Sequence, residues 1–342
     1  MKNKTAVYIG RFQPFHMGHL QIIKTALQEC DNIIILIGSA NRHASVKNPF
    51  TVEQRRSMII QSLKDAGYST DNVFFDGIDD NFYKEWSWKA GVTKSVKKIV
   101  SSQQLSNNIS LYGHFKDDSS YYLSEFPEWE LRSLNSYKAI NSTDIRKCYF
   151  ENGIISGYDC LTDAVWKFMH EFKQCDLYAN LAEEWEYYEG EYEKFKEYPY
   201  QETLNFVCAD AVVVCSGHVL LVERSEAPGK GSWALPGGFK NNDETFLSCC
   251  LRELREETNL RVPSKVLSGS IKGSHVFDCP SRSIGITRIT YAFYMEIAPN
   301  PDLSLPEVRP SSDAKEAKWI PIGEALSMNM FDDHSDILQY FV

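Results

Sequence analysis

The chain has 342 residues, of which 43% are hydrophobic and 24% charged, and its formal net charge is −10. This length allows two domains with a sizeable core in each. The acidic balance argues against a broad nucleic-acid-binding surface but leaves room for a local basic pocket for a phosphate ligand. No apolar run approaches the ~20 residues of a membrane span, and the start MKNKTAVYIG lacks a secretory signal. We therefore expect a cytoplasmic protein whose partners are small molecules rather than nucleic acids or membranes.

The first part of the chain alternates short apolar runs with helical patterns. Strands are predicted at 5–9, 32–38, 72–75 and 109–113, and helices at 19–30, 52–66 and 87–98. A strand, a loop, a helix and a second strand within about 30 residues form a βαβ unit, whose strands are parallel. The alternation predicts an α/β fold, with a doubly wound parallel-sheet (Rossmann-like) domain over residues 1–185.

The loop GRFQPFHMGH joins the first strand to the first helix. Such a loop lies at the carboxyl end of a parallel sheet, where ligands bind, and the following helix offers N–H groups and partial positive charge to a phosphate. Gly10 and Gly18 allow close backbone approach, and Arg11 supplies a fixed charge. His16 and His19 can donate hydrogen bonds to phosphate oxygens. A phosphate site is favoured; a metal site is the alternative, although the loop has no acidic or cysteine partner.

Residues 160–198 are helical in propensity, acidic and crowded with aromatic side chains. We interpret them as the last helices of the first domain, running into an acidic aromatic connector at 186–203 with Pro199 near the border. Packing of these aromatic side chains on a core is favoured. A surface for a homo-oligomer stays open as the alternative.

After the connector the pattern becomes strand-like. Strand-like segments at 206–215, 218–225 and 287–297 are interrupted by one helix at about 243–258. This arrangement predicts a C-terminal α+β domain over residues 204–342.

The helix at about 243–258 has two distinct faces. Glu253, Glu256 and Glu257 are spaced i, i+3 and i+4 and therefore share one side, where the cluster of oxygen atoms suits a hard cation such as Mg²⁺. The opposite face is apolar. It consists of Phe246, Leu247, Cys250, Leu251 and Leu254.

Three segments of the first half carry a family resemblance. GRFQPFHMGH resembles the H-x-G-H signature of nucleotidyltransferases, in the longer form typical of archaeal-type nicotinamide mononucleotide adenylyltransferases. Residues 38–59, with the NPFT turn, resemble that family's segment after the second strand, and INSTDIRK resembles its S-T-x-x-R motif. The last motif also has a physical explanation that does not depend on the resemblance. Ser142 and Thr143 can cap a helix, and Arg146 can reach an anion bound at the start of that helix.

The resemblance implies transfer of AMP from ATP to nicotinamide mononucleotide, with magnesium on the triphosphate and no protein nucleophile. His16 and His19 would steady the ATP phosphates and Arg146 the departing ones. Trp88, preferred to Trp86 by spacing, would stack on the pyridine ring. The implied nucleotide-binding residues are Gly10, Arg11, Phe12, Gly18, Trp88, Ser142 and Thr143.

Residues 238–260 resemble the Nudix box G-x5-E-x7-R-E-U-x-E-E-x-G-U, in which U is apolar. Every fixed position matches except one, where Asn259 replaces glycine. Asparagine tolerates a left-handed backbone, so we expect the helix to end there normally.

The Nudix resemblance implies hydrolysis of a nucleoside diphosphate linked to another group. Glu253, Glu256 and Glu257 would bind Mg²⁺, with Mn²⁺ as the alternative, and Glu257 would also be catalytic. Glu244 and Arg252 would orient these ligands.

The substrate prediction depends on segments outside the box. Residues 277–294 resemble Nudix proteins that act on ADP-ribose, although arginines in the middle of that pattern are absent, with Gly285 and Thr287 nearby. The favoured products are AMP and ribose 5-phosphate. Asp313 and Glu316 are candidates for a general base, with solvated loop charges the favoured interpretation.

Four alternatives stay open at this point. The Nudix half could act on another derivative such as NADH or a dinucleotide, or only sense a nucleotide. The first half could make a different dinucleotide from a pantetheine or flavin phosphate. The choice between nicotinamide and nicotinic acid mononucleotide is also open.

Overall fold

A computed structural model of the chain describes residues 3–114, 123–135, 137–138, 140–153, 159–200, 204–310 and 314–342. The chain divides into two compact units, Met1–Ala182 and Glu183–Val342. Among the helices within the described ranges, none combines the length and apolarity needed to cross a bilayer.

The first unit contains a parallel sheet with helices, as predicted. Its strands are β1 (Thr5–Gly10), β2 (Asn32–Ile37), β3 (Val73–Gly77), β4 (Ile109–Gly113) and β5 (Glu130–Ser133). Its helices are α1 (Met17–Glu29), α2 (Val52–Asp65), α3 (Glu85–Ser102), α4 (Ser142–Asn152) and α5 (Asp163–Phe172). The strand order β3-β2-β1-β4-β5 places β1 at the centre, and each pairing is parallel.

Burial accounts for these strands. In β2 every residue from Ile33 to Ile37 is buried, as expected for a parallel strand covered on both faces. The four residues of β5 are all exposed, so no apolar pattern marks this strand and the sequence does not predict it. The loops after β1 and β2 meet at the carboxyl edge of the sheet, where the Gly38 N–H donates to the Gly10 carbonyl over 2.9 Å.

The second unit contains a mixed sheet with helices, which confirms the predicted α+β type and adds short elements. Its strands are β6 (Asn205–Cys215), β7 (His218–Arg224), β8 (Trp233–Ala234), β9 (Gly237–Phe239), β10 (Ile271–Phe277), β11 (Thr287–Ile297) and β12 (Ala314–Pro321). With α6 (Asp176–Phe195), which begins in the first unit, the remaining helices are α7 (Phe246–Thr258), α8 (Ser264–Gly269), α9 (Ile322–Ala325) and α10 (His334–Phe341). The sheet order is β10-β11-β6-β7-β12.

The β6–β7 hairpin opens away from its turn. The two strands pair at Val214 with Val219 and at Cys215 with His218, and beyond this β9 pairs with β6 while β8 pairs with β7. The segment 233–239 thus fills the gap between the two strands. It delivers Gly237 and Gly238 to the neighbourhood of α7.

Helix α7 follows the predicted faces. Cys250, Leu251 and Leu254 are buried in the core, and Phe246 and Leu247 pack against it. The helix ends at Asn259, whose φ of 47° lies in the left-handed region, so the expected ending without glycine is confirmed.

The C-terminal part of α6 packs within the second unit. Glu191, on that helix, accepts two hydrogen bonds from Arg288 at 2.8 and 2.7 Å, and both residues are buried. Tyr188 is also buried, at 7% exposure, whereas Tyr192 is 50% exposed. The N-terminal residues of the predicted connector are therefore part of a packed helix.

Candidate functional sites

The first loop of the N-terminal unit is tied to the NPFT turn. The side-chain amide of Gln13 donates to the Phe50 carbonyl over 2.9 Å, and the Phe50 N–H donates back to Gln13 Oε1 over 3.0 Å. Gln13 is buried. Its two bonds fix the loop after β1 against the turn that leads into α2.

Helix α4 meets the same loop. The Ser142 hydroxyl donates to the Pro14 carbonyl over 3.1 Å, and Arg146 Nη1 donates to the Gln13 carbonyl over 2.6 Å. The predicted capping by Ser142 and Thr143 is wrong, because Asn141 is the N-cap and accepts from the Asp144 N–H. All three motif segments nevertheless converge on one loop.

The two histidines form a stacked pair at the start of α1, with ring centroids 3.6 Å apart. His16 Nδ1 accepts from the N–H groups of Gly18 and His19, and the His16 N–H donates to His19 Nδ1 over 3.2 Å. Since both Nδ1 atoms accept, each neutral ring carries its proton on Nε2. Burial, and secondarily the His16 charge, hold the pKa of His19 well below its ordinary value.

Arg55, on α2, also contacts this loop, although it was not singled out from the sequence. It is 1% exposed, and its Nη1 donates to the carbonyls of Arg11 and Gly38, each over 2.7 Å. Burial, together with the charge of Arg11, lowers the pKa of Arg55 and of Arg146 to about 10. The exposed Arg11 therefore lies close enough to two buried guanidinium groups for like charges to repel.

The space beside the two loop glycines is filled by the loop itself. A Cβ at Gly10 would lie 2.8 Å from the Phe12 ring, and one at Gly18 would lie 3.0 Å from His16. Phe12, with φ of 54° and 1% exposure, packs edge-on against Tyr8 and His19. Glycine is therefore needed to fold the aromatic rings under the histidine pair, and the Phe12 ring supports the loop from the core.

Trp88 and Trp86 differ in environment. Trp88 on α3 packs against the sheet core and Phe126, with centroids 6.1 Å apart, whereas Trp86 is 71% exposed. Stacking of Trp88 on a pyridine ring stays a prediction.

In the second unit, Arg252 organises the carboxylates of the Nudix box. It donates from Nε and Nη2 to both oxygens of Glu244, at 3.1 and 2.7 Å. Its Nη1 donates to Glu253 over 2.6 Å and to Glu256 over 2.9 Å. The hydrogen bonds from Arg252 and from the Asn241 N–H hold the pKa of Glu244 at about 2. Arg252 and Glu244 thus have the orienting geometry that the resemblance implies.

Glu257 lies deeper than its neighbours. It accepts a hydrogen bond from the Gly237 N–H over 3.0 Å, and burial raises its pKa to about 8. Burial also raises the pKa of Glu253. A Cβ at Gly238 would lie 2.6 Å from the Glu253 carboxylate, so a larger residue on strand β9 would displace that carboxylate.

Asp210, on β6, is a buried carboxylate that no sequence motif marks. It pairs in register with Gly237 and is 4% exposed. Burial raises its pKa to about 7, and within the described ranges its Oδ2 atom has no hydrogen-bond partner.

The carboxylates of α7 are oxygen donors of the kind that bind divalent cations. Hard oxygen donors with pKa values raised by burial gain from a nearby cation. In the described part of the chain no three acidic, histidine or cysteine side chains are already gathered as a ligand shell. Glu253 and Glu256 instead face Arg252, while Glu257 faces strand β9.

Neither base candidate gains support. Asp313 lies outside the described residues. Glu316, on β12, pairs with Lys318 at 2.6 Å.

Comparisons with known proteins divide the chain in the same way. The cytidylyltransferase-like family matches residues 7–148, and the NUDIX domain family matches residues 205–341. The nicotinamide/nicotinic acid mononucleotide adenylyltransferase of Acinetobacter baylyi is 37% identical over 183 residues, which cover 52% of this chain and 92% of that protein.

Two crystal structures match this chain, and each match covers 98% of this chain and 98% of the chain in the crystal structure. Both are of a bifunctional NMN adenylyltransferase/ADP ribose pyrophosphatase from Francisella tularensis. One has a TM-score of 0.91 at 37% identity. The other, complexed with AMP and Mn ion, has a TM-score of 0.90 at 36% identity.

Fold and sites together define a nucleotidyltransferase domain followed by a Nudix domain. Because relatives above one-third identity are matched over nearly their whole length, the chain belongs to the family of bifunctional NMN adenylyltransferase/ADP-ribose pyrophosphatases.

Proposed function

We propose that this chain is a bifunctional enzyme of NAD metabolism. The first unit transfers AMP from ATP to nicotinamide mononucleotide, giving NAD and pyrophosphate. The second unit hydrolyses ADP-ribose to AMP and ribose 5-phosphate with Mg²⁺. The observation that carries the first activity is the convergence of the histidine loop, the NPFT turn and α4 around Gln13. The Nudix carboxylates of α7 carry the second.

In the first unit the chain positions anions and needs no nucleophile of its own. A phosphate oxygen of the mononucleotide attacks the α-phosphorus of ATP, and the bond to the departing pyrophosphate breaks. With both Nδ1 atoms accepting hydrogen bonds, His16 and His19 each present an Nε2–H donor that can bind a phosphate oxygen. Arg11, Arg55 and Arg146 place positive charge around the loop, which favours a polyphosphate.

In the second unit a water molecule attacks one phosphorus of the diphosphate, and the bridging oxygen leaves with the other phosphate. Glu253, Glu256 and Glu257 would hold a divalent cation, which would supply positive charge to the phosphates as the bond breaks. Arg252 and Glu244 fix the direction of these carboxylates.

The test uses the purified full chain in two assays. Pyrophosphate release from ATP is measured with nicotinamide mononucleotide, nicotinic acid mononucleotide, pantetheine phosphate and flavin mononucleotide as acceptors. AMP release is measured from ADP-ribose, NADH and dinucleotides, with Mg²⁺ and with Mn²⁺.

We expect nicotinamide mononucleotide to be the best acceptor and ADP-ribose the best Nudix substrate. A pantetheine or flavin acceptor that is used faster would overturn the first activity. Faster release of AMP from NADH than from ADP-ribose would overturn the second.

A further inference from the structure

Arg224 lies at the end of β7, outside the Nudix box and outside every motif described above. Its guanidinium is stacked on the Phe331 ring, with 4.3 Å from Cζ to the ring centroid. Its Nε donates to the Pro228 carbonyl over 2.7 Å. These two contacts fix both the plane and the direction of the group.

The Phe331 ring, on which Arg224 stacks, is held in place by its own backbone. The Phe331 N–H donates to the Trp233 carbonyl over 2.7 Å. A Cβ at Gly229 would lie 2.2 Å from the Phe331 ring, and Gly229 has a φ of 74°. Glycine at this position therefore lets the ring lie under the guanidinium.

The other arginines of this unit that are at least partly buried have carboxylate partners. Arg282 makes two hydrogen bonds to Asp333, Arg288 two to Glu191, and Arg252 several to the glutamates of the Nudix box. Among the described residues, no carboxylate pairs with Arg224, and Nη1 and Nη2 have no protein acceptor.

Strand geometry places Arg224 on the same side of the sheet as α7. Leu220 packs in the core beneath α7, and side chains two and four residues further along a strand point the same way. Val222 packs with Phe331, consistent with this alternation. The charges of Arg224 and Glu257 also shift each other's pKa, Arg224 lowering that of Glu257.

We propose that Arg224 binds a phosphate group of the nucleoside diphosphate beside the Glu257 end of the carboxylate face. An oriented guanidinium with two unused N–H edges suits a phosphate, and a cation next to buried carboxylates offsets the repulsion between them and the anionic substrate. This role rests on the proposed Nudix hydrolysis.

The test compares Arg224→Met, Arg224→Lys and the control Lys318→Met in the full chain. Lys318 lies on β12 in register with Leu221, on the other side of the sheet. Hydrolysis of ADP-ribose gives KM and kcat at the Nudix site. Inhibition of that hydrolysis by ADP and by adenosine gives two inhibition constants for the same site.

We expect Arg224→Met to raise KM and the inhibition constant of ADP by about tenfold or more, with that of adenosine unchanged. Arg224→Lys restores part of the loss, because it returns the charge without the planar stack. Lys318→Met behaves as wild type, and the unchanged inhibition constant of adenosine in each variant reports an intact Nudix site.

Unchanged KM and ADP inhibition in Arg224→Met overturn the proposal, as does an equal loss for ADP and adenosine. If wild type hydrolyses a different nucleoside diphosphate derivative, the substrate named above is wrong, and the same comparison with that derivative still decides the role of Arg224. A wild type that hydrolyses none overturns both.

Discussion

His16 caps a helix in the structure and has a second role, phosphate contact, in the proposed function. Its Nδ1 caps α1 by accepting from two backbone N–H groups, which leaves Nε2 as the atom that carries the proton. His19 is fixed by the reciprocal bond from the His16 backbone. One nitrogen of each ring therefore supports the fold, and the other is the atom to which the proposal above assigns the phosphate contact.

We predict that His16→Asn separates these functions. Asparagine is a good N-cap, so stability should be retained, whereas His16→Ala should cost about 1 kcal/mol. Both variants should lower kcat for adenylyl transfer by about 10²-fold, because each lacks the Nε2–H donor, with little change in KM for the mononucleotide. Thermal unfolding and steady-state kinetics measure the two effects, with His170→Asn as the control. Equal losses in ATP turnover and mononucleotide binding would contradict this assignment.

Asp210 predicts a pH dependence of stability. Its folded pKa of about 7 lies above that of an unfolded aspartate, so the folded state binds more protons between those values. Stability therefore falls as pH rises from about 4 to 7, by about 1.4 kcal/mol for each unit of raised pKa. In metal-free protein, Asp210→Asn should raise the unfolding midpoint relative to wild type at pH 8 and have a smaller effect at pH 5.

The exposed Asp302 is the matched control for Asp210, because hydrogen bonds from Ser304 lower its pKa. Asp302→Asn should give no stabilisation at pH 8. If Asp210→Asn has the same effect on the midpoint at both pH values, the raised pKa is wrong.

At the scale of elements, α6 shows how a helix can be predicted while its packing partner is not. Its acidic, aromatic sequence indicates a helix, but Glu191 becomes a structural residue only through Arg288, 97 positions later in the chain. Tyr187 adds a hydrogen bond to the same carboxylate over 2.9 Å. The Glu191–Arg288 ion pair is therefore buried, hydrogen-bonded and contained within the second unit.

We predict that Glu191→Gln destabilises the second unit by about 3–5 kcal/mol, because it leaves Arg288 buried without its countercharge. The double variant Glu191→Met/Arg288→Met should recover most of this loss. Glu193→Gln, two residues away and exposed, is the control. Calorimetric unfolding of the full chain distinguishes the cases, and a Glu191→Gln transition identical to wild type would refute a stabilising role.

Elements and residues differ in how far the sequence alone predicts them. Strands β1, β2, β6 and β11 are long enough and rich enough in apolar residues to be predicted, whereas β8 and β9, with two and three residues, are too short to have a period. Motif residues such as His16 and Glu257 could be named from local spacing. Arg55, Asp210 and Arg224 could not, because their burial and partners depend on segments far away in the chain.

At the scale of the whole molecule, each site is assembled within one unit. The contacts of the histidine loop come from residues 10–146, and those of the carboxylate face come from residues 210–257. The two proposed activities share adenylate chemistry, since one makes and the other consumes a pyrophosphate bond to AMP. The two proposed activities therefore use different residues of the chain.

Substitutions should consequently separate the two activities. Glu257→Gln should lower kcat/KM for ADP-ribose by about 10²-fold or more and leave adenylyl transfer unchanged. Arg146→Lys should lower adenylyl transfer by about tenfold or more, since lysine cannot reproduce the planar guanidinium contacts, and leave hydrolysis unchanged. Both activities are measured on the same preparations. If Glu257→Gln also slows adenylyl transfer, the two activities are coupled, and the alternative in which the Nudix half senses a nucleotide is favoured.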